Sequence, residues 1–487
     1  MLNLKKKDFS RNLTLRCDFY ELTMAGGYFR SGIGDRIAYF DLFYRDNPDG
    51  GGYAVVAGLE QIVDYIRNLH FTEEDIAFLR GKGCFDEPFL DYLRSFRFTG
   101  DMWAVPEGTF VFPGEPLITV RAPAIQAQFI ETYLLMIVNH ESLIATKAAR
   151  STRAAKGRAV SEFGSRRAQG ADAAILGARA AFIGGCSSTA CTLSDEVFGV
   201  PAGGTMAHSW VQMFDSELNA FRTYCEIYPH IATLLIDTYN VLDSGLPHAI
   251  AAFDEVLRPR GITSCAIRID SGDITYLTQK IRARLDEAGW QTCKIVVSNS
   301  MDEYIIRELI RQGACIDAFG VGERLITAKS DPVFGGVYKL CAVEAPDGTI
   351  IPKIKISENV SKITTPHFKK VYRLRGRDTG KAEADLICLH DETVDDSQPL
   401  EIFDPQNTWK RKVLTDFTAE ELLVPVFRGG ELVYSLPTLP EIRAHFEAEC
   451  DGMWEEVRRF TNPHNYYVDL SQKLWDIKQA MLNSRTH

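Results

Sequence analysis

The sequence predicts an α/β fold of repeated strand–helix units, either a barrel or a doubly wound sheet. Three observations predict it. Short β-like runs recur through residues 155–340, and most lead into a helix-like run. Their spacing is that of βα units, which take about 30 residues or more. Their bodies are apolar without alternation, as expected of parallel strands buried on both faces. The runs are AVSEFGSRR, AAFIGGCSST, GGTMAHSW, TLLIDTYN, SCAIRIDSGD, CKIVVSNSMDE and CIDAFGVGE.

The elements follow in order. Residues 37–43 (IAYFDLF) read as a strand, and 46–52 (DNPDGGG) as a glycine-rich turn. Residues 88–97 read as an amphipathic helix. Short β-like runs over 103–122 are broken by Pro106, Pro113 and Pro116. Helical periodicity runs from Gln126 to Lys147. In barrels the chemistry sits at the C-terminal ends of the strands. Arg166, Ser188, His208, Asp237, Arg268, Asp270, Asn299 and Gly322 are all expected there. Beyond residue 341 the pattern loosens. Residues 353–373 are basic, 377–400 acidic and polar, and helices are expected at about 438–460 and 469–483.

Bulk properties narrow the function. The 487 residues exceed one usual domain. Lys+Arg 54 against Asp+Glu 65 gives a net charge of -11, which argues against a general nucleic-acid or membrane-surface binder. A polyanionic small substrate stays open, since a few local cations suffice. The 11 cysteines show neither a disulfide framework nor a CxxC zinc pattern, and Cys186 and Cys191 read as packing thiols. A reducing, cytoplasmic setting is expected. The start, MLNLKKKDFSRN, has lysines but no apolar run after them, so it does not read as a signal peptide.

Several motifs carry chemistry. In Arg268-Ile-Asp270-Ser271-Gly272-Asp273, a guanidinium can fork onto phosphate oxygens. Its carboxylates can accept from sugar hydroxyls or meet Mg²⁺. A solvated turn with a surface ion pair would look the same. Ser298-Asn299-Ser300 precedes a helix; Ser300 and Glu303 are expected to form a capping box, leaving a candidate phosphate site. Gly320-Val321-Gly322 offers a second such end. His208 can act as base, nucleophile or phosphate contact, although an isolated histidine is more often packed. Phe163 can stack on a ring and Arg166 can pair with a carboxylate. Asp18-Phe19-Tyr20 reads locally as a helix start. The basic run from Lys353 to Lys370 can bind nucleotide phosphates, but such a run is more often a solvated face.

Taken together, 15–29 (LRCDFYELTMAGGYF), FDLFYRDNPDGGGYAVVAGLEQ, ETYLLMIVNHESLIATKAAR, EFGSRRAQG, GGTMAHSW, LIDTYN, RIDSGD, VSNSMDE, AFGVGE and HNYYVDLSQKLWDIK resemble the nicotinate phosphoribosyltransferases in their long form. The resemblance implies an irregular α/β barrel of the type II phosphoribosyltransferases at 151–340. An N-terminal α/β domain at 1–150 and a C-terminal extension at 341–487 would flank it. It implies a homodimer with active sites at the interface, where Asp18 and Tyr20 reach into the partner's barrel. The implied reaction joins nicotinate to PRPP with ATP hydrolysis, in NAD biosynthesis. His208 would be phosphorylated from ATP. Arg166 would hold the nicotinate carboxylate, with Phe163, Tyr20 and Ser188 around the ring. Arg268 and Asp270 would hold diphosphate and ribose, and Mg²⁺ would ride on the diphosphate. Ser298, Asn299, Gly320 and Gly322 would cradle the 5′-phosphate, with Asp18 also on the PRPP side. One departure stands out. The family often reads Thr-Ser-Asn after GGC, whereas this chain has Ser187-Ser188-Thr189-Ala190, without the amide.

The alternatives are a nicotinamide or quinolinate enzyme of the same fold, and a non-catalytic barrel that senses PRPP or a nucleotide. The histidine, the arginines and RIDSGD argue against the sensor. A metal-dependent hydrolase would want an HxH-type pair, which the 10 histidines do not supply.

Overall fold

The structure, a computed structural model, describes residues 12–359 and 362–484. The lysine-rich start lies outside them apart from Asn12, as do Val360 and Ser361 of the basic run. The chain forms two compact units: Met1–Thr146 with Val333–His487, and Lys147–Pro332. The changes expected at 150 and 340 fall within four and eight residues of these limits. The stretches before and after the middle are joined in one unit.

The second unit holds a six-stranded sheet, all parallel. Its strands are β1 (Ala159–Glu162), β2 (Ser188–Thr189), β3 (Thr233–Leu235), β4 (Ala266–Ile269), β5 (Lys294–Asn299) and β6 (Ala318–Val321). The order is β2-β1-β6-β5-β4-β3. Each strand but β2 therefore neighbours its successor in sequence, and β1 neighbours β6. That is the winding of a barrel with one seam, between β2 and β3. Ile267, Ile269, Ile295, Val297, Phe319 and Val321 are buried, as parallel strands covered on both faces require.

Helices return the chain between strands, and their starts are fixed locally. Asp273 accepts from the Tyr276 N–H and begins helix Ile274–Glu287. Asp302 accepts from the N–H groups of Tyr304 and Ile305 and begins helix Glu303–Arg311. Asp302 thus takes the capping place expected of Ser300 and Glu303. Glu303 instead turns inward, where Lys147 Nζ (3.0 Å) and Arg150 Nε (2.7 Å) donate to it. Two expected strands are not strands. The alanine-rich run through AAFI ends helix Ala171–Ile183, as its high helix propensity favours, and β2 starts only at Ser188. GGTMAHSW is irregular up to the short helix His208–Gln212, so His208 opens a helix within the seam connection.

The first unit is built on an antiparallel seven-stranded sheet in which strands Ile37–Tyr44 and Gly336–Glu344 lie side by side. A four-stranded sheet follows, with Lys369–Gly376 and Ala382–Leu389 at its centre. Lys353, Lys355 and Lys362 are exposed, but the basic run then enters the interior. Lys369 is buried against Asp41 at 2.7 Å. Arg373 is buried with Asp385 and Glu449, both at 2.6 Å. Their alternation along one strand puts them on the inner face, where carboxylates compensate them.

Helix Phe19–Arg30 carries a further buried acid, Glu21. Its Oε1 accepts from Thr132 N and Oγ1 at 2.9 and 2.6 Å. Burial pushes its carboxyl up to about 8 against those hydrogen bonds. A raised carboxyl stabilises the folded state below about pH 4.5 and loses that contribution as pH rises through 8. Glu21→Gln should therefore flatten the dependence of Tm on pH between 5 and 8; an unchanged slope would show that Glu21 does not titrate there.

Candidate active site

The C-terminal ends of the strands in the second unit open into one cleft of about 1020 Å³, its mouth included. Phe163, Arg166 and Arg167 enter it from the turn after β1, and Ala190 from β2. Arg268 and Asp270 come from β4, Ser298 to Ser300 from β5, and Gly320, Gly322 and Glu323 from β6. Residues Gly203 to Ala207 close it on the seam side. Three guanidiniums face two carboxylates there, so the cleft favours anions.

A hydrogen-bonded set spans its floor. Arg268 Nε donates to Ser298 Oγ at 2.8 Å, and Ser298 Oγ donates to Asp270 Oδ1 at 2.6 Å. Arg268 Nη1 donates to Thr205 Oγ1 at 3.0 Å, and its guanidinium lies 5.6 Å from the centre of the Phe163 ring. The fork is thereby held in one orientation before any ligand arrives. Arg166 lies exposed in the turn Ser165–Arg167, with no ion-pair partner among the described residues.

The Phe163 ring has its place because residue 320 lacks a side chain. A Cβ at Gly320 would stand 2.4 Å from Phe163 Cδ2. Glu162, buried behind it, accepts from Gly164 N and from Thr189 Oγ1; burial raises its carboxyl above the ordinary range. Asn299 ends β5 at φ 145°, a region rarely used by side-chain-bearing residues. Its Oδ1 accepts from Ser300 N at 2.6 Å.

Other expected residues lie elsewhere. Ser188 is set behind Gly203 and donates to Ser161 Oγ at 2.8 Å. Thr189 bonds inward to Glu162, so of the run 187–190 Ala190 is the residue that faces the cleft. The amide missing from the sequence is missing at the cleft wall. Asp18 and Tyr20 lie in the first unit, at the N-cap and second residue of helix Phe19–Arg30 with its start; Tyr20 is exposed. The first N–H groups of helix Glu303–Arg311 are occupied by Asp302, which also pairs with Arg324.

His208 does not line the cleft wall itself; its neighbour Ala207 does. It is tied to the cleft through Asp237, just past β3. Asp237 Oδ1 lies 3.0 Å from His208 Nε2, and Asp237 Oδ2 accepts from Asp270 N (2.9 Å) and Ser271 Oγ (2.6 Å). The Asp237 side chain is 2% exposed and that of His208 41%. Gly272, at φ 86°, makes the turn that presents these two donors. The sequence placed Asp237 at a strand end but assigned it no role. The signal was an acid directly after the apolar run TLLI.

A parallel sheet wound in barrel order, with a cationic cleft at its strand ends and a carboxylate-oriented histidine beside it, defines an enzyme of the barrel class. Family models of the nicotinate phosphoribosyltransferase N-terminal and C-terminal domains match residues 15–139 and 368–478. The nicotinate phosphoribosyltransferase of Bacillus subtilis (strain 168) is 43% identical over 483 residues, covering 99% of this chain and 97% of that protein. That of Homo sapiens is 32% identical over 96% of each chain. The crystal structure of human nicotinic acid phosphoribosyltransferase superposes with a TM-score of 0.82 at 30% identity, over 96% of this chain and 99% of that one. The chain belongs to the nicotinate phosphoribosyltransferase family, and its fold is that of the type II enzymes.

Asp237→Asn should separate His208 from the RIDSGD turn, because an amide cannot accept at both oxygen positions. A charge-assisted bond is worth roughly 1.5–3 kcal/mol, so turnover should fall about ten- to a hundredfold with little change in Tm. Wild-type turnover in a folded variant would remove Asp237 from the site.

Proposed function

We propose that this chain joins nicotinate to the ribose of PRPP, forming nicotinate mononucleotide and diphosphate in NAD biosynthesis, with ATP hydrolysis coupled through His208. The observation that carries this reading is the presence of two separate cationic positions in one cleft. Arg166 stands without a carboxylate partner in the cleft that the Phe163 ring also lines, which suits a planar ring bearing an acid group. Arg268, locked to Ser298 and Asp270, suits a phosphorylated sugar.

In this reading Arg166 takes the nicotinate carboxylate and Phe163 stacks on the pyridine. Arg268 takes diphosphate oxygens and Asp270 a ribose hydroxyl, while Ser298, Asn299, Gly320 and Gly322 border the 5′-phosphate. Displacement at the anomeric carbon passes through an oxocarbenium-like state. The protein's part is to align the pyridine nitrogen and to stabilise the leaving diphosphate. Bound Mg²⁺ neutralises diphosphate charge; it needs only one or two protein carboxylates when phosphates supply other ligands, and Asp270 fits that need. Ser188, behind Gly203, supports the wall rather than the substrate directly.

The hydrogen bond from Nε2 to Asp237 leaves Nδ1 of His208 as the nucleophilic nitrogen. The ATP γ-phosphoryl group would pass to Nδ1 as ADP leaves, with Asp237 holding the ring. The added charge, placed one carboxylate away from the RIDSGD turn, would reset the loops that grip PRPP. A homodimer would bring the partner's Tyr20 and Asp18 to this cleft, which has no tyrosine of its own. Among the described residues no helix is long and apolar enough to cross a membrane. All 11 cysteines are free thiols, in keeping with a cytoplasmic enzyme.

Product formation from PRPP and Mg²⁺, with nicotinate or nicotinamide and with or without ATP, tests the reading. Nicotinate should be used in preference and ATP should accelerate it. His208→Ala should keep slow transfer but lose the acceleration; full ATP stimulation in that variant would end the phosphohistidine role. Arg166→Ala should raise KM for nicotinate by about tenfold or more, the worth of one charge-assisted contact, and leave KM for PRPP little changed. Equal effects on both substrates, or preferred use of nicotinamide, would overturn the carboxylate contact.

A further inference from the structure

A second cavity lies in the first unit and belongs to none of the chemistry above. It has about 1650 Å³ of free space, mouth included. Three cations face it. Arg45 follows strand Ile37–Tyr44, Lys369 opens strand Lys369–Gly376, and Lys478 projects from helix Gln472–Asn483. The carboxylates facing it are Asp41 and Asp46.

The cations are unequally satisfied. Lys369 is neutralised by Asp41 at 2.7 Å. Lys478 donates to Thr365 Oγ1 at 3.1 Å, and no carboxylate pairs with it among the described residues. Burial, and then the Lys369 ammonium, push it down to about 8. Arg45 Nε is buried with no acceptor. Asp46 is exposed, so solvent screens it. A buried guanidinium N–H without an acceptor and a partly buried ammonium without a carboxylate are costly, and such groups in a native fold call for an explanation.

The rest of the wall mixes polar residues such as Gln406 and Gln479 with apolar ones such as Ile387 and Leu470, and its largest ring is the indole of Trp475. That ring is held by Nε1 donating to Pro405 O at 3.1 Å and by edge contact with Phe403. A cavity that combines apolar residues, a fixed ring and convergent charges has the makeup of a ligand site. Two unmatched cations ask for two negative charges, which a phosphate monoester carries above its second pKa of about 6. The fixed indole and the apolar residues beside it ask for a flat body attached to it.

We propose that this cavity is a second ligand site, separate from the cleft at the barrel rim, which takes a nucleoside monophosphate with its phosphate on Arg45 and Lys478 and its base against Trp475.

Calorimetric titration of the full chain with AMP, adenosine and inorganic phosphate tests it, using Arg45→Gln, Lys478→Met, Lys478→Arg and Arg268→Gln. AMP should bind, more tightly than either fragment. Arg45→Gln and Lys478→Met should each weaken AMP by about tenfold or more, the worth of a charge-assisted contact, while Arg268→Gln leaves it intact. Between pH 7 and 9.5 AMP stays a dianion while Lys478 loses its proton, so wild-type affinity should fall over that range. Lys478→Arg should restore binding and remove the fall. That rescue separates recognition from a folding defect in Lys478→Met. No AMP binding at millimolar concentration, or binding lost only in Arg268→Gln, would overturn the site. Inorganic phosphate binding as tightly as AMP would overturn the nucleotide assignment.

Discussion

The active-site half of the molecule depends on one buried carboxylate. Asp237 is almost without solvent, and both its oxygens are used. One side meets His208, on the long connection that fills the seam. The other takes the backbone N–H of Asp270 and the hydroxyl of Ser271 at the end of β4. A charge buried to this extent is tolerable only with such partners. The requirement runs both ways: the carboxylate needs its donors, and the donors are thereby fixed in place. A change of charge on the histidine ring is felt at the turn that carries Asp270, across a single side chain. Coupling of this kind needs no extended pathway.

The winding of the sheet explains why the elements meet at all. Parallel strands place all their C-terminal ends on one rim, and the cyclic order brings β1 beside β6. Phe163, from the first strand, can then lie on Gly320, from the last, and Arg268 from β4 can approach the same ring. The seam between β2 and β3 is the one place where the connection is long enough to carry residues 203–208 to the rim. Barrel closure by a sixth pairing, of β2 with β3, would displace them.

Much of this was legible in the sequence, for identifiable reasons. Five of the seven runs read as strands are strands, because an apolar run bounded by polar or glycine residues survives tertiary packing. The two failures share a cause: AAFI and GGTMAH are short runs of small residues, for which periodicity does not separate strand, helix and coil. Arg268, Asp270, Ser298 and Phe163 meet in one cleft, as their positions at strand ends implied. The Ser300–Glu303 cap failed because two cations, Lys147 and Arg150, claim Glu303 from over 150 residues away. Local sequence holds no trace of that. The bridging place of Asp237 was hidden in the same way, since its partners come from two other loops.

The first unit shows the same physics in a different setting. Its basic run reads as a solvated face, yet every second residue from Lys369 to Arg373 points inward or lies at the sheet's buried centre. Arg373 is fully buried and fully answered: Asp385, Glu449 and the Phe110 carbonyl all accept from it. Tyr466 adds a hydroxyl to Asp385. Such a cluster contributes uniqueness of packing more than net stability, because desolvation consumes most of the Coulomb attraction. Lys478 and the Nε of Arg45 lie in the same unit without that compensation. Hydrophobic replacements of similar size would remove their desolvation cost outright. Within one fold, then, cations divide into those whose charged partners are built into the chain and those that leave room for one from outside it.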